Sequence, residues 1–431
     1  MTTLHDRLAD LAGEAPAAVP DPGLWDRGRR YHRRRRAGTV VIAAAAAVLL
    51  ATIATVDWQR SAPTPVPAEG PAGLPNRMWA PGPWLPSTET PGQLVAITSA
   101  DRGSWTGSHA GTVGVSATSG DYAFVDLPDA DLEYADVDLA PDGRHVAYWL
   151  TGPTTGTPNT ADGPIAGVAV YDLVTGEVTR HWIDTAHGLR PDFLTWADAA
   201  TVVFSAGQIV GGDDASDMDR SSSRFGTVTA WRLGAAPVAV PGVPAGASLM
   251  GAAHGRILMN HRLVALDESE RARRISYPAV SGAFGSMHFI GLGPSGDEIA
   301  AVFGNRSPND VMAGPAADLR VVSGTHGSFG VVDWLDPDAI VTLQRIGGWR
   351  TGKTALVKHS LTGGETQELV RFPTDSLGGG WQFATDLLSS PSVDAERPAS
   401  PMDPRLAAGL AAAVCLAAAA GLLIWRRRVR P

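Results

Sequence analysis

Cysteine is almost absent from this chain of 431 residues: Cys415 is the only one, and it lies in an apolar run near the C-terminus. A single thiol excludes an intrachain disulfide framework and any cysteine-based zinc site. A folded domain built from this sequence therefore relies on packing alone. Lysine is nearly absent too, since Lys353 and Lys358 are the only two and every other non-histidine basic residue is arginine. That bias, with abundant alanine, fits a GC-rich genome and carries no mechanism. Charge is also scarce at 18%, whereas 49 glycines and 32 prolines supply many turns. Such a composition favours many short strands over long soluble helices.

Catalytic signatures are missing as well. No H-E-x-x-H, G-x-S-x-G or EF-hand loop occurs, and the eleven histidines hold no pair at metal-ligand spacing. Zincin chemistry, a nucleophile elbow and an EF-hand calcium site are thereby excluded. The sequence assigns no catalytic, cofactor-binding or metal-binding residue, and no cofactor is expected.

Two uncharged runs stand out. Ala37 to Val56 reads AGTVVIAAAAAVLLATIATV, and Leu406 to Trp425 reads LAAGLAAAVCLAAAAGLLIW. A helix of twenty residues rises about 30 Å, the thickness of a bilayer's hydrocarbon core. Arg27 to Arg36 (RGRRYHRRRR) precedes the first run, and RRRVR (Arg426 to Arg430) follows the second. Arginines beside a spanning helix stay on the cytoplasmic side. The expectation is a two-pass cell-membrane protein with both termini cytoplasmic and its main domain outside. Of the acidic and basic residues, 39 and 22 lie between residues 57 and 404, a net of −17, and the flanks carry 5 and 13, a net of +8. An acidic middle between basic ends fits a translocated middle. The thirty-six residues before the first run are long for a signal peptide, which favours an uncleaved anchor. Topogenic arginine beside lipid also accounts for the basic run better than nucleic-acid binding does.

The divisions read as a basic tail (1–36), a first helix (37–56), a Pro/Ala/Gly-rich linker (57–91), an extracytoplasmic domain (92–390), a second linker (391–405), a second helix (406–425) and a basic tail (426–431). The domain repeats. LAPDGRHVAYW (Leu139 to Trp149), LTWADAATVVFSA (Leu194 to Ala206), MGAAHGRILMN (Met250 to Asn260), LGPSGDEIAAVFG (Leu292 to Gly304) and WLDPDAIVTLQR (Trp334 to Arg345) each run a turn into an apolar strand. Hairpin patterns follow four of them, as in VAVYDLVTGEVTRHW (Val168 to Trp182). A period near that of a four-stranded propeller blade, about 40–50 residues, predicts an all-β fold, a β-propeller of six or seven blades flanked by two transmembrane helices. LVAITSA (Leu94 to Ala100) and YAFVDLP (Tyr122 to Pro128) start a front blade, and WQFATDLL (Trp381 to Leu388) supplies a strand to close the ring.

The blade sequences APDGRHVAYW and VAVYDLVTGEVTRHW resemble TolB-like and WD40-like bacterial propellers, without the Gly-His and Trp-Asp dipeptides of true WD40 repeats. The layout in which LWDRGRRYHRRRR (Leu24 to Arg36) leads into an apolar run resembles actinobacterial membrane-anchored propeller proteins. Some of those pair with sigma factors, so the resemblance implies a signalling role and a cytoplasmic regulatory partner. The N-terminal HDRLADLAG (His5 to Gly13) has helical periodicity suited to docking such a partner.

Four smaller motifs need weighing. GGWRTGKT (Gly347 to Thr354) has P-loop spacing, yet it lies between two strand patterns, so a blade loop is expected, with Arg350 and Lys353 facing an anionic partner. DDASDMD (Asp213 to Asp219) reads as a solvated acidic insertion, and HGSFG (His326 to Gly330) departs by one glycine from an esterase elbow. Trp105, Trp149, Trp182, Trp196, Trp231, Trp334, Trp349 and Trp381 either pack the blades or line a sugar-binding face. Together these readings point to a non-enzymatic propeller that binds a protein, peptide or glycan ligand outside the membrane. The alternative is an exported glycosidase or lyase, which needs carboxylates converging on the axis.

Overall fold

The computed structural model describes residues 71–431 except 133–136, 161–162, 217, 220–221, 260, 268–271, 277–289, 304–309, 348–352, 373–379, 399–400, 402 and 430–431, together with six single residues among the first thirty. The first apolar run, Ala37 to Val56, and most of the N-terminal tail lie outside the described residues. The chain divides into two compact units, residues 62–401 and a second made of 1–61 with 402–431.

The described residues between 71 and 398 build six mainly antiparallel sheets of four or five strands and one two-stranded parallel pair. Blade 2 is the pattern for the rest: Val137–Leu139, His145–Thr151, Ile165–Asp172 and Val178–Trp182, hydrogen-bonded in sequence order. Blade 3 starts at Leu189–Asp198, blade 4 at Leu249–Ala253, blade 5 at Ile290–Leu292 and blade 6 at Ser328–Asp336. The first strands of successive blades contact one another, which puts them innermost around a common axis. Six blades close the ring.

Blade 1 is assembled from both ends of the domain. Leu94–Ser104, Gly107–Ser116 and Tyr122–Val125 come from the front, and Gln382–Phe383 takes the innermost place against Ile97 and Ala96. The regions read from sequence as linkers also contribute. Ser87–Thr88 adds a parallel outer strand to blade 1, and Leu74–Pro75 pairs in parallel with Ser392–Val393. Asn76 Nδ2 donates to Asp394 Oδ1 at 2.6 Å beside that pair. Described strands thus lie on both sides of the 92–390 stretch, and Leu74 and Met78 are buried within the Pro-rich segment.

The core lies between blades. Trp149 of blade 2 is fully buried and meets Phe204 of blade 3 edge-to-face, centroids 6.2 Å apart. Tryptophan N–H groups tie neighbouring inner strands together: Trp196 Nε1 donates to Asp138 O at 3.1 Å, and Trp334 Nε1 to Gly291 O at 3.2 Å. Trp196 and Trp334 thus bury their rings and satisfy their polar edges, which suits them to a blade interface. The Pro-Asp-Gly turn of blade 2 needs its glycine. Gly143 has φ 70° and a Cβ there would sit 2.0 Å from Leu94 O, whose own N–H donates to Gly143 O at 2.8 Å.

In the other unit, Pro404–Val429 forms one helix of 26 residues. It begins with proline at its first position, where the missing N–H costs nothing, and the Asp403 carboxylate accepts the Arg405 N–H at 2.8 Å. Its apolar stretch Pro404–Gly421 is only 6% buried. Among the described residues this is the only helix long and apolar enough to cross a membrane, where two had been expected from the sequence. The span expected at Leu406 to Trp425 falls within it.

Candidate functional site

Antiparallel pairing within each blade puts the turn after the first strand at the opposite end from the loop after the second, so the two ends of the blades differ. Where the first strands finish, short turns lead to the second strands: residues 140–144, 199–200, 254–255, 293–297 and 337–338. At the opposite end, second strands reach third strands through loops, long in blades 2 (152–164) and 3 (210–228).

The short-turn end carries a group of titratable side chains drawn from four blades. Asp333, in the inner strand of blade 6, accepts a hydrogen bond from the Thr385 side chain and one from the Trp334 N–H at 2.8 Å. Thr385 follows the closing strand Gln382–Phe383, and the neighbouring Asp386 N–H donates to Pro141 O of blade 2 at 3.0 Å. Burial pushes the Asp333 carboxyl above the ordinary aspartate range, the Asp386 charge adds to this, and Thr385, Trp334 and His254 oppose it. Asp386 is raised too, by burial and then by Asp142, with His254 opposing. Each like charge disfavours ionisation of its neighbour. Nothing local in the sequence signals this group, since Asp142, His254, Asp333 and Asp386 influence one another only when the ring closes. The turn pattern that contains Asp142 and His254 was visible, but a turn does not report what faces it.

The loop-rich end has exposed aromatics and ordered insertions. The 152–164 loop is tied to the 2–3 connection by Thr155 N to Thr185 O (2.9 Å), Gly156 N to Ala186 O (2.9 Å) and Asn159 N to His187 O (2.7 Å). His187 Nδ1 donates to Thr157 O at 2.6 Å, and Asp213 N to Pro158 O at 2.8 Å links the blade 3 insertion to the same loop. Trp105, at the tip of the blade 1 hairpin, is 51% exposed, Trp182 at the end of blade 2 is 47% exposed, and Phe225 is 78% exposed. Large apolar side chains left in water at one end of a scaffold are unusual, and contiguous ones mark binding surfaces.

The motifs singled out in the sequence find distinct places. Trp149, Trp196, Trp231 and Trp334 are buried in blade packing and Trp381 is half-buried, so of the eight only Trp105 and Trp182 present a surface among the described residues. Trp349 and Arg350 lie outside those residues. GGWRTGKT joins strands Ala339–Ile346 and Lys353–Ser360, which are hydrogen-bonded from Ile346–Lys353 onward. Lys353 and Thr354 begin a strand, where a phosphate cradle requires a helix N-terminus. Asp213, Asp214 and Asp219 are solvent-exposed, with Ser216 Oγ donating to Asp219 Oδ2 at 2.8 Å, and no cluster of ligands suited to a metal ion occurs among the described residues. Ser328 of HGSFG is buried. Its hydroxyl donates to Thr342 Oγ1 at 3.2 Å, and Thr342 Oγ1 lies 3.0 Å from His359 Nε2. Burial pushes the His359 imidazole below its usual value, and the row is sealed from solvent inside blade 6. It joins strands and presents no nucleophile.

No family profile and no curated protein sequence matches this chain. Solved structures do. TolB from Acinetobacter baumannii is 14% identical with a TM-score of 0.36, and the match covers 65% of each chain. Oligogalacturonate lyase from Vibrio parahaemolyticus is 11% identical with a TM-score of 0.39, covering 61% of this chain and 71% of that one. The β-propeller domain of the trilobed protease from Pyrococcus furiosus is 13% identical with a TM-score of 0.37, covering 64% and 80%. The match spans less than two thirds of the A. baumannii TolB chain. At these identities the likeness is one of fold alone, and the chain's own hydrogen-bonded sheets make it an all-β, six-bladed propeller.

Proposed function

We propose that this protein is a membrane-anchored, non-enzymatic propeller that binds a protein, peptide or glycan ligand outside the membrane through the loop-rich end of its ring. The observation that carries the binding reading is the exposure of Trp105, Trp182 and Phe225 on blades 1, 2 and 3, together with the bracing of the blade 2 and blade 3 insertions. Bracing reduces the entropy lost on binding, and tryptophan supplies large contact area per ordered side chain. Anchoring is supported by the exposed apolar helix Pro404–Val429 and by the arginines that follow it. A regulatory role, in which the N-terminal tail docks a cytoplasmic partner of a sigma-factor pathway, rests on the layout of the basic tail alone.

Protease treatment of intact cells tests the topology. Loss of the propeller with both tails spared is expected, and a protected propeller overturns it. Binding is tested by Trp105→Ala with Trp182→Ala, expected to weaken retention on the cognate wall or protein fraction while leaving the unfolding midpoint in place. Retention equal to wild type removes the loop-rich end from the proposal.

A second reading has a specific observation behind it. The Asp386 charge acts on Asp333, burial raises both carboxyls, and Asp142 raises Asp386 further; a propeller glycosidase or lyase likewise requires paired acidic groups. Release of sugar fragments from wall polymer by wild type but not by Asp333→Asn would replace binding with catalysis.

A further inference from the structure

We propose that residues 382–388 act as a proton-sensitive latch on the ring, held more tightly in acid than at neutral pH. The ring closes within blade 1, where Gln382–Phe383, carried by the chain that leaves blade 6, pairs with Leu94–Ser104 from the front of the domain. Gln382 Nε2 donates to Val137 O at 2.6 Å, and Gln382 Oε1 accepts the Leu139 N–H at 3.0 Å, so the side chain grips the inner strand of blade 2. Ala384 N donates to Val95 O at 2.9 Å on blade 1, Asp386 N reaches Pro141 O at 3.0 Å on blade 2, and Thr385 bonds Asp333 on blade 6. Phe383 and Leu388 are buried beside them. One short segment thus ties three blades together.

Charge within the latch works against it. Asp386 lies on the latch, Asp333 faces it from blade 6, Asp142 from the blade 2 turn, and His254 from the blade 4 turn. His145 Nδ1 stands 3.9 Å from Asp142 Oδ2, Arg144 lies in the same turn, and Arg256 follows the His254 turn and donates to Pro294 O at 3.3 Å. When Asp333 and Asp386 ionise, their charges oppose each other in a partly desolvated place, with Asp142 adding to the repulsion on Asp386 and His254 opposing it on both. Releasing the latch returns Asp386 and Asp333 to water, where ionisation costs less. The sign follows from linkage. Both carboxyls are raised in the closed ring, so the closed form binds more protons than the open form, and closure strengthens as pH falls. Each pH unit by which a carboxyl is raised shifts the opening equilibrium about tenfold.

Hydrogen exchange on the full chain in detergent micelles reads this directly. After correction for intrinsic exchange, protection of the amides of Ala384 and Asp386 should fall as pH rises above the ordinary aspartate range toward about pH 8, while Val203 and Phe204 in blade 3 hold steady. Asp386→Asn, which keeps the backbone N–H to Pro141, should raise latch protection at pH 8 and flatten the slope. Asp142→Asn should do the same more weakly and supplies the test if the first variant does not fold. Latch protection that is independent of pH, that falls in step with blade 3, or that drops at pH 8 in Asp386→Asn overturns the proposal.

Discussion

Replacing Phe383 with alanine tests whether a two-residue strand from the far end of the chain holds the ring shut. Phe383 is 7% exposed, pairs with Ala96, and packs edge-on against Phe372 with centroids 5.8 Å apart. Truncating a buried phenylalanine costs about 3–5 kcal/mol, of which the aromatic pair supplies about 0.5–1.5 kcal/mol. At roughly 2 °C per kcal/mol for a domain above the 150–250-residue range, the midpoint should fall by roughly 6–10 °C. Tryptophan fluorescence during thermal unfolding provides the readout, with buried Trp149, Trp196, Trp231 and Trp334 spread over blades 2, 3 and 6. Val238→Ala, at a position 59% exposed on an outer strand, serves as the control and should stay within about 0.5 kcal/mol of wild type. If Phe383→Ala moves the midpoint no further than the control does, the closing strand is not part of the ring.

Two further outcomes are expected. Tyr122 accepts the Trp79 N–H at 2.9 Å and donates to Met78 Sδ at 3.4 Å, so Tyr122→Phe leaves a donor unpaired and should cost about 1–3 kcal/mol by urea titration. Burial pushes its phenol up to about 12. Because the folded form keeps a proton that the unfolded form loses from about pH 10, Tyr122 should make stability fall between about pH 10 and pH 12, a slope absent in the phenylalanine variant. For GGWRTGKT, adding Mg-ATP should leave the unfolding midpoint unchanged in both wild type and Lys353→Ala. A true nucleotide site at 100-fold excess over Kd would add about 2.7 kcal/mol, and such a shift, lost in Lys353→Ala, would restore the P-loop reading.

The blade repeat was legible because each blade reuses the same local chemistry. The turns at Pro141–Gly143 and Pro294–Gly296 lead into apolar second strands, and Val174–Glu177 turns one hairpin back on itself, as the residues suggested. Two hairpin strands lacked that signal: Gly107–Ser116, which is rich in glycine and serine, and Asp310–Pro315, where DVMAGP carries few β-branched residues and ends on proline. The short strands at Leu74–Pro75 and Ser87–Thr88 were hidden for a related reason. Two residues have no periodicity, and their pairing is dictated by Ser392–Val393 and Tyr122–Val125, far away in sequence.

By itself the sequence determined the local terms: where strands and turns fall, that the repeat closes a ring, that Leu406 to Trp425 is helical and apolar, and that Lys353 and Thr354 follow a strand pattern too closely to begin a phosphate-binding helix. Tertiary structure alone decided the number of blades, the source of the closing strand, and which tryptophans are buried. It also decided that Asp142, His254, Asp333 and Asp386 influence one another. The physical reason is range. Turn chemistry and strand alternation act between near neighbours, whereas the environment of a carboxylate at the axis is set by blades more than a hundred residues apart.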